Sequence, residues 1–427
     1  MRVATYSDAG RSAAGIMHMR DYIYLAVLLI SFPGYPMIAA GANLIGIEST
    51  TVSLVVRTVN AALAAALVLS CYNRPRSLSS NLVILLCLVF WAFYLFRIFL
   101  DTIYAPAPLG QDLSYYWIWA VGGSLLPMLG LALKPCRPEQ ADQYFRWFYL
   151  ATLFAGLLAL LSATGSMESD LYGVYATGRM RISDNRLNPI ALGHLGAMLA
   201  LQSIWALLFF RTRRNIIQIV STLIGLCIGF YILLAANSRG PILAFAACMI
   251  FIILYTNLRH KIFIFSIAGI VILTFVPLAD YLEQTQNIPV FSRLFGTSLS
   301  ENAEQSMRPY LYNRAITIFV ENPWFGGALE DPLVLSYPHN VIIESFMATG
   351  VLFGIVFLCL IFLAFWISSN LLNRSYRFGW ISILYIQYIV GAQFSGSLYG
   401  STYLWCAIGL IMSASNINLR EKRYRIK

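Results

Sequence analysis

The chain has 427 residues, of which 59% are hydrophobic and only 11% charged, and it carries a formal net charge of +10. Soluble domains hold roughly 25% charged residues, so this composition excludes an ordinary soluble fold and calls for a bilayer as solvent. The positive charge does not argue for a nucleic-acid partner, because the basic residues form short clusters at the ends of apolar runs, where they act as topology signals.

Apolar runs long enough to cross ~30 Å of hydrocarbon lie near positions 22–40, 52–70, 81–100, 115–133, 147–163, 189–210, 216–235, 241–256, 262–278, 340–368, 376–394 and 398–415. They predict an all-α polytopic membrane protein of about twelve transmembrane helices, built as a single integral membrane domain over 1–427. The first run has Arg residues before it and Ala39-Ala40-Gly41-Ala42 after it, as a cleavable signal would. Pro33-Gly34-Tyr35-Pro36 interrupts it, however, and it is read as a retained helix.

Short loops rich in Lys and Arg stay in the cytoplasm. Arg74 and Arg76, Lys134, Arg137 and Arg146, Arg211, Arg213 and Arg214, Arg259 and Lys261, and Arg374 and Arg377 all fall on one side of the predicted membrane, together with both basic termini. Both termini are therefore expected inside. The opposite face carries only Arg179, Arg181, Arg186, Arg239, Arg293, Arg308 and Arg314 as basic residues. The seven cysteines (Cys71, Cys87, Cys136, Cys227, Cys248, Cys359 and Cys406) fall in helices or on the cytoplasmic side, so no disulfide framework or Cys-based zinc site is expected outside. Gly225-x-x-x-Gly229 and Gly350-x-x-x-Gly354 are read as close-packing positions.

Two outer loops exceed connector length. One runs from about 164 to 188 and the other from about 278 to 339, between the ninth and tenth helices. Loops this long inside a compact domain tend to be functional or disordered, and the longer one is read as the active-site element. Guanidinium groups grip phosphate oxygens through a rigid fork. Arg181 and Arg186 precede Asn188-Pro189, a cap and first-turn proline opening the next helix, and an outward helix N-terminus favours anions. Arg239 lies in the very short turn Asn237-Ser238-Arg239-Gly240-Pro241, between two apolar helices where a charge is costly unless used. Arg57 and Arg97 fall within helices, and Arg97 with Asp101 four residues on suits a structural ion pair.

His339 is the one histidine of the long outer loop. Held between Pro338 and Asn340 at the start of a helix, its neutral imidazole can accept a proton from a substrate hydroxyl. Glu344 lies about 140° farther round that helix if both positions are helical, and should not orient the imidazole unless His339 sits in the preceding turn. His194, beside Gly193 and Gly196, is expected to be structural. Glu168-Ser169-Asp170 is the single acidic triplet outside and lacks the partners for an oxygen-rich shell, so no metal is expected.

Together, Asn237-Ser238-Arg239-Gly240, the stretch Arg314-Ala315-x-x-x-Phe319-x-Glu321-Asn322-Pro323-x-Phe325-Gly326, Pro338-His339-Asn340-x-x-x-Glu344 and Thr349-Gly350-Val351-x-x-Gly354 resemble the O-antigen ligase and O-antigen polymerase superfamily of bacterial membrane glycosyltransferases. The resemblance is nearest to the ligase branch, and its sharp motifs occupy 237–354. It implies a GT-C-like fold in the bacterial inner membrane with the active site on the periplasmic face. The implied reaction is an inverting, metal-independent and cofactor-free transfer of glycan from undecaprenyl pyrophosphate to a sugar hydroxyl of lipid A-core oligosaccharide. By that analogy His339 is the general base, while Arg181, Arg186, Arg239, Arg293, Arg308, Arg314 and Asn340 hold the pyrophosphate and glycan. The alternative within the superfamily is a polymerase that joins lipid-linked repeat units. A secondary transporter is a distant third, because the charges crowd on one face and no internal repeat is visible.

Overall fold

The computed structural model describes residues 17–47, 49–73, 76–166, 188–209, 215–286, 303–374 and 377–415. Thirteen helices appear among them: α1 Met19–Leu44, α2 Ser49–Cys71, α3 Leu78–Tyr104, α4 Leu113–Leu133, α5 Pro138–Ser166, α6 Pro189–Phe209, α7 Ile216–Ala235, α8 Arg239–Tyr255, α9 Leu258–Gln286, α10 Ala303–Glu321, α11 Val341–Arg374, α12 Gly379–Gly391 and α13 Thr402–Ser415. Eight of them (α1 to α7 and α11) are long and apolar enough to cross a membrane, and α8, α12 and α13 are shorter apolar helices. Every predicted apolar run corresponds to one of these helices, and the protein is an all-α polytopic membrane protein.

One element departs from the sequence expectation. The stretch 278–339 is not a continuous loop: α9 runs on to Gln286, and α10 occupies Ala303–Glu321. α10 is polar along most of its length and has only a short apolar stripe. Leu311, Ala315 and Ile318 form a buried stripe at i, i+4 and i+7, and Ala315 and Ile318 pack with Met347 of α11.

Three helices contain π-helical segments: Ile30–Gly34 in α1, Leu100–Tyr104 in α3 and Ile118–Leu125 in α4. In the first, Pro33 lacks the N–H that a regular α-helix would use. Helices α6 and α7 approach most closely where Gly196 and Gly229 face one another; a Cβ on Gly229 would lie 2.6 Å from the Ala200 amide nitrogen. Gly225 faces Ser203 and the Tyr149 hydroxyl, so the Gly225-x-x-x-Gly229 pair serves packing. All seven cysteines are free thiols.

Polar contacts fix both ends of the bundle. At one end, Lys134 at the close of α4 pairs with Asp21 of α1 at 2.9 Å and donates to the Tyr144 hydroxyl of α5 at 3.0 Å. Ser413 of α13 donates to the Lys134 carbonyl and accepts from Tyr24 of α1. At the other end, α3 grips the segment between α10 and α11. The Arg97 guanidinium donates to the carbonyls of Gly326 at 2.6 Å, Phe325 at 3.2 Å, Gly327 at 3.3 Å and Ala348 at 3.0 Å, and pairs with Asp101 at 3.2 Å. Asp101 in turn accepts from the Leu329 amide at 2.7 Å. The expected Arg97–Asp101 pair is present, and it is part of a larger clamp.

Candidate active site

The segment from Asn322 to Asn340 is built as a braced turn. Gly326 and Gly350 both have left-handed backbones, with φ of 75° and 70°, and each lies flat against the other's strand of chain. A Cβ on Gly350 would collide with the backbone of Trp324 and Phe325, and one on Gly326 with that of Ala348 and Thr349. Hydrogen bonds from the Val351 amide to the Pro323 carbonyl (2.7 Å) and from the Gly327 amide to the Met347 carbonyl (2.9 Å) close this interlock. It also breaks α11, whose dihedrals turn non-helical at Gly350.

Beyond the interlock, Asp331 and Ser336 bridge a tight turn. Asp331 is 3% exposed, and its carboxylate accepts from Arg314 Nε at 2.9 Å and from Arg314 Nη2 at 3.3 Å, and from the Leu333 amide at 2.9 Å. Burial works to raise this carboxyl's pKa, but the Arg314 bonds and the Leu333 amide outweigh it and hold the group below its ordinary range. Glu330, also buried, accepts from the Tyr399 hydroxyl at 3.1 Å and from the Gly110 amide at 2.9 Å, tying the turn to the segment between α3 and α4.

His339 follows at once. Its φ is 56°, a left-handed conformation uncommon for a residue with a side chain. Its half-buried ring meets Tyr337 edge-on at 4.6 Å between centroids. Asn340 caps α11: its Oδ1 accepts from the amides of Ile342 and Ile343, both at 3.0 Å, while its Nδ2 donates to the Gln393 carbonyl at 3.3 Å. The Val341 amide donates to the neighbouring Ala392 carbonyl at 3.2 Å. This turn after α12 also meets the start of α8, where a Cβ on Gly240 would lie 3.4 Å from Phe394 Cβ, beside Arg239 as the first residue of that helix. The turn therefore links the starts of α8 and α11, placing Arg239 and His339 on elements that share one support.

Aromatic rings line the same level. Tyr337 contacts Tyr399 at 6.1 Å, and Tyr399 contacts Tyr116 at 5.0 Å and Tyr115 at 6.2 Å. Burial pushes the Tyr337 and Tyr399 phenols up, so both remain neutral donors at any ordinary pH. Glu344 is buried, and its Oε1 accepts from Tyr94 at 3.0 Å and from the Leu398 amide at 2.9 Å. His194 packs under Gly391 and Tyr388, and its carbonyl accepts from Gln387. The buried packing of His194 follows the sequence expectation.

The predicted site residues thus divide. His339, Asn340 and Arg239 are gathered around one turn. The amide of Asn340, expected on substrate, is engaged in capping, and the fork of Arg314, expected on pyrophosphate, is engaged by Asp331. Arg308 is half-buried on α10 and makes no ion pair among the described residues. It lies about 120° around the helix from Arg314, so the two do not form one grip. Arg181, Arg186 and Arg293 lie outside the described residues. The supports missed in sequence are Arg97, as a clamp on carbonyls, and Glu330 and Asp331. The adjacent acids before Pro332, in a segment otherwise marked by Arg, were their available signal. No group of three or more His, Cys, Asp or Glu side chains gathers at one point among the described residues.

The fold and this braced turn define a polytopic membrane protein with an imidazole presented at one end of its helix bundle. Residues 224–359, about a third of the chain, match the family model described as O-antigen ligase. The matched segment contains Arg239, Arg314 and His339. No curated protein and no solved structure matches the chain.

Proposed function

We propose that this protein is an O-antigen ligase that transfers a glycan from undecaprenyl pyrophosphate to a sugar hydroxyl of lipid A-core oligosaccharide, at the periplasmic face of the bacterial inner membrane. The observation that carries the reading is the fixed geometry of His339, held left-handed between a braced turn and a helix cap, beside the turn that supports Arg239.

The imidazole of His339 takes the proton from the acceptor hydroxyl as that oxygen attacks the anomeric carbon. The bond from that carbon to the pyrophosphate oxygen breaks on the opposite side, inverting the centre, and the pyrophosphate leaves with the electron pair. Arg239 and Arg308 offer fixed positive charge to the leaving group, with Arg181, Arg186 and Arg293 assigned the same role from sequence. Arg314 and Asn340 enter as positioning residues, since their side chains hold the turn and the helix that carry His339. Tyr115 and Tyr337, the accessible tyrosines at this level, suit sugar stacking.

The test is reconstitution. Purified protein given undecaprenyl-pyrophosphate glycan and lipid A-core, with EDTA present, should yield glycan-capped lipid A-core with an inverted anomeric centre. A polymerase would instead lengthen the carrier-linked glycan and leave the lipid A-core uncapped. Activity lost in EDTA and restored by Mg²⁺ would overturn the assignment of leaving-group stabilisation to arginine.

A further inference from the structure

Arg57 is a charge at membrane depth that has no role in the site above. It lies about two turns into α2, on a helix whose Leu54, Val55 and Val59 are exposed on the apolar outer surface. Among the described residues it makes no hydrogen bond and no ion pair. Two other cations in or beside the transmembrane helices have carboxylates, Asp101 for Arg97 and Asp21 for Lys134. An unpaired intramembrane charge is costly and marks function by default.

What holds Arg57 is aromatic. Its guanidinium carbon sits 3.4 Å from the Trp119 ring centroid and 5.5 Å from that of Tyr35, with the Tyr115 and Tyr403 phenols within electrostatic reach. Stacking occupies the flat face of a guanidinium and leaves its N–H edge unspent, and that edge matches two phosphate oxygens.

The local backbone is specialised around this contact. Trp119 lies within the π-helical segment of α4, and Tyr35 follows directly on that of α1; such segments are rare and frequent at functional sites. One turn from Arg57, Asn60 Nδ2 donates to Ser31 Oγ at 3.0 Å, locking α2 to the first of them. Close approach of Gly130 to Ala64 fixes α2 against α4 farther along.

We propose that Arg57 and Trp119 form a binding site for the phosphate head group of an amphiphile whose apolar tail lies in the bilayer along α2. The site is separate from the arginines assigned to the leaving group. It shares a floor with His339, since Trp119 contacts Tyr115 at 5.8 Å and that ring leads through Tyr399 and Tyr337 to the imidazole. Two sources supply this chemistry, a polyprenyl phosphate and an anionic phospholipid.

The full chain in phosphatidylcholine nanodiscs is titrated with undecaprenyl phosphate in one arm and with phosphatidylglycerol in the other, and bound lipid is counted by native mass spectrometry. The wild type should retain one or both over phosphatidylcholine, and Arg57→Gln should weaken that retention at least tenfold. Arg57→Lys should recover only part, lacking the fork and the stack, and Trp119→Phe should fall between them. Loss confined to undecaprenyl phosphate identifies a carrier site, and loss of both a general phospholipid site. Unchanged retention of both lipids in folded Arg57→Gln, or in Arg57→Lys should the first variant fail to fold, overturns the proposal. So does a wild type that does not prefer either lipid over phosphatidylcholine. His339→Ala measured alongside should keep full retention, so that failure of the base assignment and failure of this site are read separately.

Discussion

His339 is held at a φ of 56°, and left-handed backbone costs a residue with a Cβ about 1–2 kcal/mol. Glycine does not bear that cost, so His339→Gly and His339→Ala separate the base from its backbone. Both should lose turnover by ~10²- to 10⁴-fold, as removal of a general base does, while the Gly variant unfolds at a higher temperature than the Ala variant, by about 1 kcal/mol of stability. A Gly variant no more stable than Ala would mean that the conformation carries no strain. Asp331 gives a pH dependence whose sign is fixed. Its folded-state pKa lies below the ordinary carboxylate value, so its contribution is complete above about pH 4 and is lost as pH falls through the lower folded value. Protection against amide exchange over 326–340, taken relative to the intrinsic rate at each pH, should therefore be flat from neutrality down to about pH 4 and fall below it. In Asp331→Asn it should be low throughout, with a turnover loss near 10²-fold from misplacement of His339. A wild-type profile that loses protection between pH 7 and 5 would assign the turn to some other group.

At the scale of elements, the clamp from α3 and the glycine interlock make separate predictions. Arg97→Ala leaves Asp101 buried and uncompensated, with the pair's side chains 11% and 8% exposed, and should cost about 3–5 kcal/mol. Gly350→Ala should be worse tolerated than Gly354→Ala, because the first collides with the Trp324 and Phe325 backbone while the second meets only the Phe346 ring. Thermal unfolding in detergent checks both. The same elements show what could be read from the chain. Membrane spans are legible because hydrocarbon demands long apolar runs, and the motif at 337–340 because Pro, His and Asn at a helix start have local meanings. α10 is not legible from apolar runs, since its buried stripe of Leu311, Ala315 and Ile318 is short and the rest of the helix is polar. Nor is the partner of Arg314, because a pair 17 residues apart, across the end of α10 and the turn after it, depends on where Gly326 lets the chain go.

For the whole molecule the proposed reaction requires a sidedness. Reporter fusions after residues 140, 213, 260 and 375 should report cytoplasm, and fusions near 175 and 300 periplasm; a cytoplasmic signal at 300 would remove the active-site assignment altogether. Helix α11 adds a measure of depth. It has 34 residues, about 51 Å at 1.5 Å per residue, against a hydrocarbon core of ~30 Å. The part after Gly350, about 36 Å long, is enough to cross that core alone. The first ~15 Å is then left over, and the kink turns it off the main axis just where His339 stands at its tip. On the proposed reading this surplus acts as a derrick: it lifts the imidazole out of oil and into the head-group layer. A carrier lipid could keep its isoprenoid tail dry and need only raise its pyrophosphate, while both sugars stay hydrated up to the moment of transfer.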